Sequence, residues 1–120
     1  MEKFYTKVKE VGPKAQTMIT DANMLILFGE GAPLDLSDYC FMIDNQQLKA
    51  KIEVGDTLAI DSFVYKVKAV GSLVEQNLTD LGHISVCFDQ VPASLLPGTL
   101  YVAGGSLPLL AKGTEVIIYQ

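Results

Sequence analysis

The chain has 120 residues, of which 49% are hydrophobic and 19% are charged, and it carries a net charge of −5 at pH 7. This length and composition are typical of one folded domain spanning residues 1–120, and they exclude a disordered chain. The acidic balance argues against a nucleic-acid surface, and the longest apolar run, residues 24–28, is far shorter than the roughly 20 residues that cross a bilayer.

The first half of the chain is predicted to form short strands joined by turns. Extended patterns occur at residues 4–11, 23–28, 39–43 and 48–53. In the last of these, apolar and charged residues alternate, and residues 44–47 before it have the composition of a hairpin turn. The loop at residues 29–38 is long and acidic. Such loops are often functional, although a solvated connection is the simpler interpretation.

The second half adds five predicted strands and the one predicted helix. The strands lie at residues 57–60, 63–70, 84–88, 99–103 and 114–119. Many short strands with glycine turns predict an all-β domain, either a barrel or a sandwich. We favour a closed or nearly closed small β-barrel of mainly antiparallel strands, because closure removes strand edges that the chain does little to protect with charge.

The predicted helix spans residues 72–81 and ends beside the only histidine. Ser72 and Glu75 have the spacing of a capping box, and the apolar stripe that follows has helical periodicity. Gly82 is the expected left-handed stop of the helix. His83 is therefore expected at a bend between the helix and a strand.

Several kinds of chemistry are excluded by the residues present. One histidine and two distant cysteines do not make a closed structural zinc site, and no glycine-rich phosphate loop or nucleophile elbow occurs. We therefore predict no metal and no cofactor. Cys40 and Cys87 are expected to be buried, reduced thiols, and the N-terminus lacks the pattern of a secretory signal. A soluble cytoplasmic protein is the simplest expectation.

Two interpretations of His83 stand side by side. A single histidine near apolar residues is more often a packed structural residue than a functional one. However, Gly82 leaves room for a ligand, Ser85 on the same face is small, and an imidazole is a nucleophile that works near neutral pH. The residues alone leave open a non-catalytic binding or regulatory module with an inert histidine.

A series of short motifs resembles a known family along nearly the whole chain. In order, they are Glu30-Gly31-Ala32-Pro33, Asp38-Tyr39-Cys40-Phe41, Val70-Gly71-Ser72, Glu75, Asn77-Leu78, Leu81-Gly82-His83, Pro97-Gly98-Thr99 and Val102-Ala103-Gly104. Together they resemble the glucitol/sorbitol-specific IIA component of the bacterial phosphotransferase system.

The resemblance implies a cytoplasmic phosphocarrier that exchanges phosphoryl groups with other proteins. It would accept the group from the carrier HPr and pass it to a cysteine of the cognate IIB domain, for uptake of a hexitol through the membrane component IIC. His83 would be the catalytic residue, and we expect Gly71, Ser72, Gly82 and Ser85 to cradle the phosphoryl oxygens. Turn geometry or helix capping is the alternative explanation for each, and it is the stronger one for Ser72. No nucleic acid and no direct membrane insertion are expected.

One segment departs from the family pattern. Some members carry a histidine just after Tyr-Cys-Phe, and that position has been taken as the phosphorylated one, whereas here the segment reads Met42-Ile43-Asp44-Asn45. An active chain must therefore use His83. The alternative is that the resemblance is real and the activity is lost.

Overall fold

The computed structural model, which describes residues 1–120, contains eight strands and three short helices. No helix combines the length and hydrophobicity needed to cross a bilayer. In chain order the elements are β1 (Glu2–Val11), α1 (Ala15–Ala22), β2 (Met24–Phe28), α2 (Leu34–Ser37), β3 (Phe41–Ile43), β4 (Thr57–Ile60), β5 (Phe63–Val70), α3 (Val74–Leu81), β6 (Ile84–Cys87), β7 (Thr99–Gly104) and β8 (Glu115–Tyr119).

The strands close into a barrel in the order β1-β3-β2-β6-β7-β5-β4-β8. The predicted barrel is thus confirmed, and the sandwich is excluded. Two neighbouring pairs, β2 with β3 and β6 with β7, are parallel, and the other six are antiparallel. Parallel neighbours need a crossover of about a dozen residues, and the two long connections, residues 29–40, which include α2, and 88–98, provide these crossovers.

A single apolar core of 22 buried residues fills the barrel. The alternation predicted for β5 is confirmed, since Tyr65 and Val67 are buried while Val64, Lys66 and Lys68 are exposed. Helices α1 and α3 each bury two residues one turn apart in the same core. One face of each helix is therefore held by the barrel rather than by helix propensity alone.

The prediction of a strand at residues 48–53 and of a hairpin turn at 44–47 is wrong. Residues 44–56, here called the strap, connect β3 to β4 without a helix or strand of their own. The N–H of Ile52 donates to the carboxylate of Glu75 in α3 at 2.7 Å. Lys49 and Gly55 donate single backbone hydrogen bonds to β1 and β5, so the strap makes isolated contacts rather than a strand ladder. Leu48 and Ile52 still pack on the core. The alternation therefore signalled burial correctly but not strand pairing.

The helix predictions are only partly right. One helix was expected and three occur. The apolar residues of α1, Ala15, Met18, Ile19 and Ala22, have helical spacing, so this helix was predictable and was missed, whereas α2 is too short to show a periodicity. Helix α3 begins at Val74, and no side chain caps it. Ser72 is exposed, and Glu75 binds the strap, so the predicted capping box does not form. Gly82 ends the helix in the left-handed region, as predicted.

The two cysteines are separate and unpaired, in keeping with the prediction of free thiols. Cys40 is buried, and burial raises the pKa of its thiol. Cys87 lies at the end of β6 and is only half-buried. The prediction of a buried thiol therefore holds for Cys40 and fails for Cys87, because position 87 belongs to the outward-facing set of its strand.

Candidate functional site on the outer face of the barrel

The bend that carries His83 depends on a close contact between two glycines. Gly82 has φ of +67°, and a Cβ built on it would lie 2.7 Å from the backbone nitrogen of Gly29 and 2.8 Å from its Cα. The N–H of Gly29 donates to the carbonyl of Leu81 at 3.0 Å. Only glycine combines this φ with this approach, so the end of α3 is docked against the end of β2.

The imidazole of His83 is half-exposed and is held at one nitrogen. Its Nδ1 lies 3.2 Å from the carbonyl oxygen of Leu27, and its ring lies against the ring of Phe28 with centroids 4.6 Å apart. A carbonyl oxygen can only accept a hydrogen bond, so Nδ1 carries the proton in this contact. Nε2 makes no hydrogen bond within the chain, and in the neutral ring with its proton on Nδ1 it is the nitrogen that carries the lone pair.

His83 lies on the convex side of the barrel wall. Leu27 pairs with Ile84, so Phe28 falls opposite His83, and Phe28 in turn pairs with Met42 of β3. These three side chains, Met42, Phe28 and His83, form what we call the outer row. Phe28 is buried but does not belong to the core cluster, which agrees with its outward direction. The imidazole of His83 therefore projects from a convex surface.

Of the four residues predicted to cradle a phosphoryl group, only Gly82 and Ser85 lie near His83. Ser85 is half-buried and follows His83 by two residues of extended chain, about 6.6 Å, on the same face. The N–H of Gly82 is already engaged, because it donates to the carbonyl of Leu78 at 2.9 Å. Ser85 thus remains the one candidate whose side chain faces the same way as the imidazole.

Gly71 and Ser72 precede α3, whose eight residues separate them from His83 by about 12 Å. The N–H of Gly71 donates to the carbonyl of Thr99 at 2.9 Å, and a Cβ on Gly71 would collide with the carbonyls of Leu96 and Pro97. Gly71 is therefore explained by tight packing against the chain before β7. The structure does not bring Gly71 or Ser72 to the imidazole, so the geometry does not support their predicted role.

Gln46 is a residue of the site that sequence reasoning missed. Its Nε2 donates to the carbonyl of Thr79 at 3.0 Å, and its Oε1 lies 2.5 Å from the Cβ position of Gly29 and 3.1 Å from that of Gly82. The strap thus packs on the two glycines that set the bend. No local signal marks Gln46, because its contacts come from residues far away in the sequence.

The main concave feature of the surface lies elsewhere. A shallow open groove is lined by eight residues from the strap, β5 and the connection before β7, among them Lys51, Lys68 and Leu95, and it does not include His83. No group of three or more histidine, cysteine or acidic side chains is arranged to hold a metal ion. The imidazole of His83 therefore lies on the barrel wall and not in this groove.

Comparison with known proteins identifies the family. A family model described as PTS system glucitol/sorbitol-specific IIA component matches residues 3–117. The chain is 40% identical over 111 residues to the PTS system glucitol/sorbitol-specific EIIA components of Shigella flexneri and Escherichia coli (strain K12), which covers 92% of this chain and 89% of each relative. A crystal structure of the PTS system IIA component from Enterococcus faecalis V583 is similar with a TM-score of 0.87 and 25% identity, over 98% of this chain and 100% of that one. The chain therefore belongs to the family of glucitol/sorbitol-specific IIA components of the phosphotransferase system.

Proposed function

We propose that His83 is the phosphoryl acceptor through which this chain acts as a phosphocarrier for hexitol uptake. The group comes from phospho-HPr and goes on to the cognate IIB domain, which serves the membrane component IIC. The observation that carries the proposal is the state of the imidazole, half-exposed on a convex wall with Nδ1 bound to Leu27 and Nε2 free. On this proposal the chain works on the cytoplasmic side of the membrane, where it meets both partners.

The geometry supports attack by Nε2. The lone pair of Nε2 forms a bond to the phosphorus of the donor, the bond from phosphorus to the donor nitrogen breaks, and its electron pair stays on the donor ring. Positive charge develops on the His83 ring as the new bond forms. The carbonyl of Leu27, which accepts from Nδ1–H, stabilises that charge and keeps the ring in one orientation.

The protein has little further chemistry to perform, because phosphoryl transfer depends mainly on positioning and on neutralising the equatorial oxygens. Of the predicted cradle, we keep only the hydroxyl of Ser85 as a donor to those oxygens, since it shares the outer face with His83. The remaining donors would come from the docked partner. A convex site suits this division, because a docked partner can then reach the imidazole and supply hydrogen-bond donors from its own surface.

The segment that follows Tyr39-Cys40-Phe41 offers no competing nucleophile. Ile43 is buried in the core, and the carboxylate of Asp44 accepts hydrogen bonds from the hydroxyl of Thr6 and the N–H of Lys7, each at 3.1 Å. Met42 belongs to the outer row beside Phe28. His83 is the only imidazole of the chain, and its free Nε2 argues against the interpretation of an inert, packed histidine.

The test is incubation of the full chain with phosphoenolpyruvate, enzyme I and HPr. We expect an acid-labile, base-stable adduct on the wild type and none on His83→Gln, whose folding is checked by its unfolding midpoint. In the ¹⁵N spectrum of the phosphorylated protein, phosphorus should couple to Nε2. An adduct on His83→Gln would place the acceptor elsewhere, and coupling to Nδ1 would contradict the role given to Leu27.

A further inference from the structure

The connection between β2 and β3 exposes a leucine to an unusual degree. Residues 29–38, here called the acidic loop, contain three carboxylates and no lysine. Leu34 is 87% exposed, more than any other large hydrophobic side chain in the chain, and Leu36 in the same loop is also exposed. Isolated exposed leucines are common, but one at the tip of a charged loop beside a reactive residue marks a candidate interaction surface.

The exposure of Leu34 is imposed by an ordered loop. The hydroxyl of Ser37 donates to the carbonyl of Leu34 at 2.9 Å, and the thiol of Cys40 lies 3.0 Å from the carbonyl of Leu36. The far end is fixed by the N–H of Lys14, which donates to the carbonyl of Asp38 at 2.8 Å. A loop held in this way has little conformational entropy left to lose when a partner binds.

The charges of the acidic loop are mostly unpaired. Glu30 forms an ion pair with Lys9, whose hydrogen bond lowers the pKa of Glu30. Asp35 and Asp38 have no ion-pair partner. The loop therefore presents net negative charge around an apolar tip, and the complementary surface is basic around an apolar centre.

The acidic loop lies close enough to His83 for one docked protein to contact both. It starts at Gly29, which contacts Gly82, and it follows Phe28, which lies against the imidazole. Leu34 is five residues further on and so at most about 17 Å from Gly29. One side of a standard interface buries about 800 Å², a disc of about 16 Å radius, so a single docked protein can cover both residues.

We propose that the acidic loop is the docking surface for the phosphoryl donor HPr, with Leu34 as its apolar anchor. This inference rests on the proposed function, because a donor must approach His83 for transfer. The loop then selects a partner with a basic rim and an apolar centre, and the imidazole performs the chemistry. The loop contributes binding of the donor and leaves the chemical step unchanged.

The test compares two serine variants of exposed apolar residues. Leu34→Ser removes the anchor, and Val64→Ser is the matched control, because Val64 is 52% exposed on β5, which lies four strands from β3 in either direction around the barrel. Phosphorylation by phospho-HPr is measured at limiting and saturating donor. We expect Leu34→Ser to raise the KM for HPr on the order of tenfold with kcat unchanged. Val64→Ser should match the wild type. Leu34→Met, which keeps an apolar side chain, should retain most of the binding.

The contribution of the loop's negative charge to binding is tested by measuring the KM for HPr at increasing ionic strength. The KM of the wild type for HPr should rise with ionic strength, and Asp35→Asn should weaken that dependence. An unchanged KM in Leu34→Ser, or a loss of kcat alone, overturns the docking role while leaving His83 as acceptor. Slower transfer to IIB with an unchanged KM for HPr also overturns it, since the surface then serves the acceptor. A wild type that takes no phosphoryl group from HPr overturns the proposed function itself.

Discussion

Replacement of Gly82 by alanine tests the contact that sets the position of His83. At φ of +67° an added Cβ costs about 1–2 kcal/mol in backbone strain, partly offset by the lower entropy of the unfolded chain. The Cβ would also lie 2.7 Å from the backbone nitrogen of Gly29, about 0.7 Å short of ordinary contact. Because both groups are backbone, the end of α3 must move away from β2, at a cost of about 1–3 kcal/mol.

Comparison with Gly113→Ala separates the cost of backbone strain from the cost of the collision with Gly29. Gly113 has φ of +93°, and nothing lies within 4 Å of its Cβ position, so this variant carries the strain without the collision. We expect about 1 kcal/mol of destabilisation for Gly113→Ala and about 3 kcal/mol for Gly82→Ala. For 120 residues, 1 kcal/mol corresponds to about 4 °C in Tm, so the expected decreases in Tm are about 4 and 12 °C.

The assay is urea unfolding and thermal unfolding of both variants beside the wild type, followed by phosphorylation at a temperature where both are folded. Gly82→Ala should also lose phosphorylation rate, because the shift of α3 disturbs the contact of the His83 ring with Leu27. Gly113→Ala should keep the rate. Equal destabilisation of the two variants would refute the close approach of Gly82 to the β2 end.

Three further predictions concern stability and the thiols. Glu75→Ala leaves a backbone N–H of the strap without its acceptor and should destabilise the fold by about 1–3 kcal/mol in urea unfolding; a neutral result would show that water replaces the carboxylate. Burial favours the neutral form of Asp56, but it is outweighed by the hydrogen bond from Lys3 at 2.8 Å together with the hydrogen bond from the N–H of Glu53 and the positive charges of Lys3 and Lys66, so the pKa of Asp56 is lowered from 3.8. The stabilisation of the fold by this ion pair is present above the unfolded-state pKa of Asp56 and is lost as the pH falls through its folded-state pKa. Asp56→Asn should therefore be less stable than the wild type at pH 7 and should lose less stability below pH 4. Parallel stability profiles of the two proteins would contradict the pairing. Unreduced protein should show two free thiols by mass, with Cys87 modified by a thiol reagent before unfolding and Cys40 only after it; equal rates would show that Cys40 is accessible.

Local patterns in the sequence were sufficient for the barrel class and for several of its elements. Alternation over residues 63–70 and the apolar run at 57–60 predicted β5 and β4 with their observed ends. Gly82 was identified as the end of α3 because a left-handed stop is a property of one residue. Alternation and chain reversal are encoded within a few neighbouring residues, so they can be recognised without the fold.

Other features depended on residues that meet only after the barrel closes. The strap has the alternation of a strand, but its N–H groups donate to scattered acceptors and form no ladder. Ile52 donates to the side chain of Glu75, whereas Lys49 donates to a carbonyl of β1 and Gly55 to one of β5. Because its carboxylate accepts from Ile52, Glu75 is not the predicted capping residue. Which donor meets which acceptor is decided by strand order, which the sequence pattern leaves open.

The sequence by itself determined that the chain has one imidazole and that this imidazole follows a helix stop beside a strand. Only the tertiary structure decided the chemistry available to it. The carbonyl that holds Nδ1 belongs to Leu27, 56 residues earlier in the chain, and the ring beside it belongs to Phe28. Both reach His83 because β2 and β6 are neighbours in the closed barrel, a pairing that no pattern around His83 encodes.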